Sequence, residues 1–347
     1  FVDAGYQVVD VSNYQARALA GLRGEWRGFD WETALLYSEA EAIDESDAVN
    51  SNALQTSLAL STPDAYTPFS GGCINQTSFG DCTPSSQAAI DAITFRLRRE
   101  SRTTLTQFDF RVSRSDLFSL PAGDVGVAFG FETRRETQRD NRDENLDGTI
   151  PFVDRVTGAT QLSNVIAVSQ NPDTRGDRTV SSAYVEFAVP VISPEMNIPL
   201  VRSLDFQIAG RAENYSDFGD VAKPKIAMAW DIFDGLRVRA SYSEGFRAPN
   251  LEQVNTATYG RLSTNQDYIR CEADLRARRI TTFGACSRSI GASLLVSGNP
   301  DLKPEESTNQ SYGVVFQPQF LPESWGDFTL TVDRWRIQQT DIVGLFG

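Results

Sequence analysis

Apolar residues recur at every second position over long stretches of this chain, and that period constrains its fold more than anything else. Ile226, Met228, Trp230 and Ile232 alternate with Lys225, Ala227, Ala229 and Asp231. Leu236, Val238, Ala240 and Tyr242 then alternate with Arg237, Arg239, Ser241 and Ser243. Successive side chains of a strand point to opposite faces, so each run reads as a strand with one apolar and one polar face. Phe233-Asp234-Gly235 lies between them, and its Asp-Gly step suits positive φ, so the two runs read as a tight hairpin. The same alternation marks Phe108–Val112, Val125–Phe131, Leu204–Ile208, Tyr312–Phe316 and Phe328–Val332. Near the start, Phe29, Trp31, Thr33, Leu35 and Tyr37 share a face.

About ten strands follow from these runs, an all-β chain of sandwich or barrel type. Three features favour an antiparallel, up-and-down transmembrane barrel. The strands are longer than the five or six residues usual in soluble proteins. Their polar face is rich in Arg, Asp, Glu and Gln, as a wet lumen requires. Aromatic residues sit near strand ends (Tyr215, Phe218, Tyr242, Phe246, Trp325, Trp335), where interfacial girdles belong.

The connections give the sheet two ends. Counted in order, odd connections are short: around Gly24–Gly28, Asp116–Asp124, Pro190–Arg202, Asp234 and Gln319–Asp327. Even ones are long, at about Glu41–Arg98, Arg139–Arg178 and Arg247–Glu306, with Phe218–Val221 as the exception. Alternate connections of an up-and-down barrel lie on one side, so short turns face one way and long loops the other. The long loops carry their own structure: Ser85–Ile93 reads as a short capped helix, and Glu272–Arg279 as another.

Composition bounds the function. The net charge of −14 disfavours a nucleic-acid stripe. No apolar run is long enough for a membrane helix, which leaves strand-based spanning untouched. There is no histidine, so a Ser-His-Asp triad is excluded and no enzyme is expected. The four cysteines form two local pairs, Cys73 with Cys82 and Cys271 with Cys286, each bracketing a loop. Two loop disulfides in an oxidising compartment are expected, the alternative being four free thiols. Asp143, Asn145, Asp147, Thr149 and Asp154 follow calcium-loop spacing, with Gly148 at the turn and Asp in place of the final Glu. Calcium is therefore a candidate ligand, and a solvated acidic loop is the alternative. Arginine clusters at 96–102, 134–142 and 276–279 are candidates for anionic ligands or lipopolysaccharide phosphates, or simply solvated faces.

One segment carries a resemblance. Ser241-Tyr242-Ser243-Glu244 leads into Gly245-Phe246-Arg247-Ala248-Pro249-Asn250-Leu251. Downstream stands Gly298-Asn299-Pro300-Asp301-Leu302-Lys303-Pro304-Glu305. The first resembles the GFRAPN-type corner of TonB-dependent receptor barrels, and the second their NPxLKPE segment. Tyr215-Ser216-Asp217-Phe218-Gly219 and Lys223-Pro224-Lys225 are similar in type and order. The prolines also have a backbone reading, since they cannot donate to a ladder and mark where strands stop. Gly245 would permit close approach at the rim, and Arg247 would meet carbonyls or an acidic neighbour.

The resemblance implies residence in the outer membrane of a Gram-negative bacterium, among lipid and lipopolysaccharide. It implies energised uptake of a small scarce nutrient: a siderophore, haem, cobalamin or oligosaccharide. No cofactor is required. Family barrels have 22 strands behind an N-terminal plug that works with TonB-ExbB-ExbD. The whole chain, 1–347, is thus expected to be a partial barrel, its plug and remaining strands lying elsewhere, and unable to close by itself. Two alternatives stand beside this: a passive porin- or adhesin-like barrel, and a soluble secreted calcium-binding β-protein.

Overall fold

The computed structural model describes residues 7–68, 85–319 and 326–344. Its main body is one ten-stranded antiparallel sheet. In chain order the elements open with β1 (Val9–Trp26), β2 (Phe29–Val49), helices α1 (Ser51–Leu58) and α2 (Gln87–Ile93), β3 (Thr94–Leu120) and β4 (Gly123–Asn141). A one-turn helix α3 (Glu144–Asp147) and a two-residue ribbon, β5 (Phe152–Val153) with β6 (Thr160–Gln161), precede β7 (Thr174–Ile192). Next come β8 (Ser203–Tyr215), β9 (Gly219–Phe233), β10 (Leu236–Arg247) and helix α4 (Leu251–Asn255). A hairpin of β11 (Tyr259–Gln266) and β12 (Ser289–Val296) encloses α5 (Tyr268–Arg276), and β13 (Glu305–Phe316) and β14 (Leu330–Thr340) finish the sheet.

Spatial order follows sequence order, β1-β2-β3-β4-β7-β8-β9-β10-β13-β14, with β5–β6 and β11–β12 as separate ribbons. Every pairing within the main sheet is antiparallel. The parity of connection lengths holds: turns at one end, loops at the other. Strands run further into the loops than expected, however. β2 reaches Val49 and β3 begins at Thr94, so the long loop there starts nine residues later than the sequence suggested. Polar side chains on both faces had made these extensions read as loop. Both expected helices form, as α2 and α5, while α1 and α4 lacked a visible signal. Gly235 takes φ of 91° in the Asp234-Gly235 turn, as expected.

Register assigns the faces. Phe129 pairs with Val185, Val185 with Gly210, Ile208 with Ile226, Met228 with Ala240, and Ala240 with Tyr312. Directly opposed residues point to the same side. Phe131, Val127, Phe187, Phe206, Trp230 and Val238 therefore share that side, and many of these residues are exposed. The opposite side carries Arg111, Glu132, Tyr184, Arg211, Lys225, Asp231 and Arg237, and α4 packs against it on β7 and β4. The polar side is the lumen and the apolar side faces lipid. Ile226, Met228 and Trp230 point outward and Lys225 and Asp231 inward, as expected.

The hydrophobic clusters of the described residues lie in the loop layer. Val49, Leu54, Tyr66 and Ile93 form one, and Ala48, Leu146 and Val165 another. Between the turns and this layer, large apolar side chains point out and stay exposed. That inversion would be unfavourable in water and is what lipid requires.

Aromatic girdles exist, but with a different membership. Trp26, Phe118 and Phe233 are exposed beside the short turns, and Tyr14, Tyr37, Tyr242 and Tyr312 are exposed outward further along the strands. Phe29 and Tyr37 lie eight residues apart on β2, about 27 Å of strand. At the usual tilt of ~40° that spans ~20 Å, close to the ~25 Å apolar band of outer-membrane barrels. Tyr215, Phe218 and Phe246, expected in a girdle, instead pack on one another. The β8–β9 connection is short, so the rim is low there and the chain leaving β10 crosses over it. Trp325 lies outside the described residues.

Substituting Met228→Arg in the intact protein is expected to destabilise the folded barrel by about 2–4 kcal/mol, whereas Ala227→Arg, one residue away on the lumenal face, is tolerated. Urea unfolding in lipid vesicles checks both; equal losses would contradict the assigned faces.

Candidate functional site

The motif corner folds into the lumen. Beyond Arg247, Ala248 and Pro249 cross the tops of β9 and β8, and Asn250 caps α4. Its side chain accepts from the Gln253 backbone N–H at 2.7 Å, and the Gln253 side chain accepts from the Asn250 N–H at 2.9 Å. This reciprocal capping box explains why a five-residue helix forms. Pro249 and Leu251 are buried. Asn255 lies so close over Gly176 that a Cβ there would stand 2.3 Å from its amide nitrogen. Any side chain at 176 would have to displace the Asn255 amide.

Arg178 holds this fold in place. It is buried, and its Nη1 donates to the Pro249 carbonyl at 2.7 Å. Its Nε donates to Glu136 at 2.8 Å, and Asp217 lies 3.6 Å away. Its guanidinium stands 5.5 Å from the Tyr215 ring centre, and that of Arg134 stands 5.9 Å from it. Arg134 in turn donates to Glu132 and Glu136, both at 2.7 Å. Tyr215 donates to Glu213 at 2.8 Å, stacks on Phe218 at 4.4 Å and meets Phe246 edge-on at 6.0 Å. The group draws on β4, β7, β8 and β10, and it joins charge, aromatic packing and a backbone carbonyl. Each buried charge has an opposite partner, which burial demands.

A second buried centre lies beside it. Asp140 accepts from Arg99 Nε at 2.7 Å, Ser101 at 2.6 Å and Arg142 at 2.7 Å. Arginines 99, 134 and 142 thus serve neither of the two expected roles. Arg134 and Arg142 are largely covered and Arg99 is partly exposed, and carboxylates on the inner face neutralise all three. Arg178 and Asp140 had no signal of their own, and Tyr215 was read as a girdle and motif residue, not as part of this centre; Arg134, Glu136 and Asp140 share one parity on β4, which places them on one face.

Other motif residues have local roles. Gly245 approaches Ser307, whose Oγ would be 2.7 Å from a Cβ. Arg247 meets the buried carboxylate of Glu305 at 3.4 Å. Asp143 accepts from the Asn145 backbone and side chain, both at 2.9 Å. Asn145 Oδ1 accepts from Asn50 and Asn164, and Asp147 accepts from the Thr149 N–H at 2.7 Å. Asp154 closes a separate turn, and the backbone N–H groups of Val156 and Thr157 hold its carboxyl below the usual range. The candidate calcium residues cap two turns instead of converging. Among the described residues no three His, Cys, Asp or Glu are grouped to hold a metal.

Cys271 and Cys286 are joined by a disulfide; Cys73 and Cys82 lie outside the described residues. The bond ties α5 to the β11–β12 hairpin. Asp274, buried on α5, accepts from Arg288 and, at 3.0 Å, from Arg279. Arg288 first, and then Arg279, hold the Asp274 carboxyl below the usual carboxylate range. Two recesses complete the picture. One of about 620 Å³ lies on the lumenal wall near the turns, lined by Arg23, Asp30, Glu32, Arg111 and Tyr184. Another of about 570 Å³ lies between α1 and the β5–β6 ribbon, lined by Leu54, Leu58, Phe152, Arg155 and Val165.

A membrane-facing sheet, a charged inner face and a loop folded onto that face define part of an outer-membrane β-barrel. The family model described as TonB dependent receptor-like, beta-barrel, matches residues 2–346, and the chain belongs to that family. Barrels of this family reside in the outer membrane of Gram-negative bacteria, as this one does; they are receptors and transporters, work with the TonB system and bind small ligands. A probable TonB-dependent siderophore receptor, PirA of Acinetobacter baumannii, is 26% identical over 310 residues, covering 76% of this chain and 37% of that protein. The crystal structure of the siderophore receptor PirA from Acinetobacter baumannii matches with a TM-score of 0.53 at 16% identity, over 94% of this chain and 35% of that one. The RagAB peptide transporter gives 0.52 at 12% identity, over 97% and 31%. At such identities the two structures show the fold alone. The chain spans about a third of the length of these relatives.

Two outcomes are expected. Arg178→Ala should destabilise the intact protein by about 3 kcal/mol, the usual result of removing one partner of a buried pair. It should also expose the segment 248–256 to limited proteolysis, and Arg178→Lys should protect it only in part. Separately, the low pKa of Asp274 means that its ion pairs stabilise the hairpin above the unfolded carboxyl pKa of about 3.9. That contribution is lost as pH falls through the lower folded value. The protection of α5 amides against exchange, relative to the intrinsic rate at each pH, should therefore fall in acid, and Asp274→Asn should show the lower protection already at neutral pH.

Proposed function

We propose that the intact protein takes up a ferric siderophore across the outer membrane, driven by the TonB-ExbB-ExbD system. The observation that carries this is the likeness in sequence, over three quarters of the chain, to a probable siderophore receptor. The lumenal wall supports it physically. Its charged groups of both signs, such as Arg111 with Glu32 and Arg237 with Asp231, suit water and a polar solute, and disfavour an apolar one. Helix α4 folds onto the lumenal face of β7 and β4, placing polar loop residues inside the wall. Coupling to the energised system would run through a plug domain outside this chain.

The test is growth and uptake. A strain lacking the full gene should lose uptake of labelled ferric siderophore under iron limitation, and a protonophore should abolish uptake in the parent. Unchanged iron uptake, with loss of growth on peptides or oligosaccharides instead, would overturn the siderophore reading and leave the family intact.

A further inference from the structure

The join between β9 and β10 is built unlike its neighbours. The two strands pair from the Asp234-Gly235 turn up to Lys225 opposite Ser243, and there the ladder stops. Both strands nevertheless go on. β9 pairs with β8 as far as Gly219, and β10 pairs with β13 as far as Arg247. Residues 219–224 and 244–247 therefore lie along one join without a paired position between them. At the loop end of the other joins in the main sheet, one of the two strands stops at the last pair. Pro224, the first residue beyond the last rung, has no N–H to donate to a further one.

Side chains fasten what the backbone does not. Lys223 on β9 is largely covered, and its Nζ lies 3.0 Å from Glu306 on β13 and 3.9 Å from Glu244 on β10. Tyr215 on β8 meets Phe246 on β10 edge-on. Arg178 on β7 holds the Pro249 carbonyl in the chain that leaves β10, and α4, further along that chain, rests on β7. Parting the strands above Lys225 breaks these contacts and no ladder. Parting β8 from β9, or β10 from β13, at the same level would break backbone hydrogen bonds. We propose that this join is a seam at which the mouth widens. Strands β1–β9 and β10–β14 spread apart above Lys225, and the paired stretch below, whose rungs lie in the lipid belt, is the hinge. Lys223 and Arg178 are the fastenings, one within the wall and one over the rim. The proposal rests on strand register and not on which nutrient is carried.

The experiment uses the intact receptor in lipid nanodiscs, with spin labels on pairs of introduced cysteines and distances read by pulsed electron spin resonance. Ala212→Cys with Thr308→Cys spans the seam from β8 to β13. Ile208→Cys with Gln310→Cys spans the same four strands just below it, along the unbroken line Ile208, Ile226, Tyr242, Gln310. Singly substituted proteins give the background from native thiols. Lys223→Gln with Arg178→Gln should lengthen the 212–308 distance by about 5 Å, one strand spacing, and leave the 208–310 distance unchanged. Lys223→Arg should keep the shorter distance. An unchanged 212–308 distance in the assembled double variant would overturn the seam, and so would equal lengthening of both pairs. Should the double variant fail to assemble, the labelled protein with both fastenings intact is warmed instead. The 212–308 distances should then broaden before the 208–310 distances do, and simultaneous broadening would overturn the proposal.

Discussion

A lipid interior offers no partner to a backbone N–H or C=O, and this single constraint organises everything else in the molecule. The ten main strands meet it by pairing each with the next in sequence order. Once the backbone is satisfied that way, side chains are free to sort by face. Large apolar groups go out to lipid and charges go in to water, the reverse of a soluble protein. The compact apolar clusters are displaced to the loop layer, where water is present on both sides. β1 and β14 each keep one unpaired edge in this chain, which spans about a third of the length of the relatives it matches.

The loop layer obeys a different rule. There, order comes from specific polar anchors, because loops cannot bury enough apolar surface to repay their entropy. Arg178 is the clearest case. One guanidinium satisfies a carbonyl of the loop, a carboxylate of the wall and the face of an aromatic ring. The Cys271–Cys286 bond and the Asp274 ion pairs do the same for the outer hairpin. These anchors are what make the mouth a defined shape.

Much of this was legible in the residues. Alternation assigned the faces of β4, β9 and β10 correctly because the period of two survives any error in register. Loop parity gave the two ends because it depends only on lengths. The aromatic girdle was misassigned at Tyr215, Phe218 and Phe246, because position along a strand does not reveal which neighbours cross above it. The Arg178 centre was invisible for a related reason. Its partners lie at Glu136, Tyr215 and Pro249, far apart in sequence, and only the β4–β7 and β7–β8 registers and the loop after β10 bring them together. The calcium spacing around Asp143 illustrates the converse: a local pattern was present, but Asn50 and Asn164 from other segments took up the Asn145 oxygen.

The strands outgrow the membrane by a wide margin on one side only. β3 alone runs for 27 residues, where 9–11 suffice to cross a bilayer. The excess forms a stiff collar, hydrogen-bonded like the rest of the wall, which carries the rim well beyond the lipid surface. The length of the strands, and not the loops alone, sets how far the opening stands from the membrane.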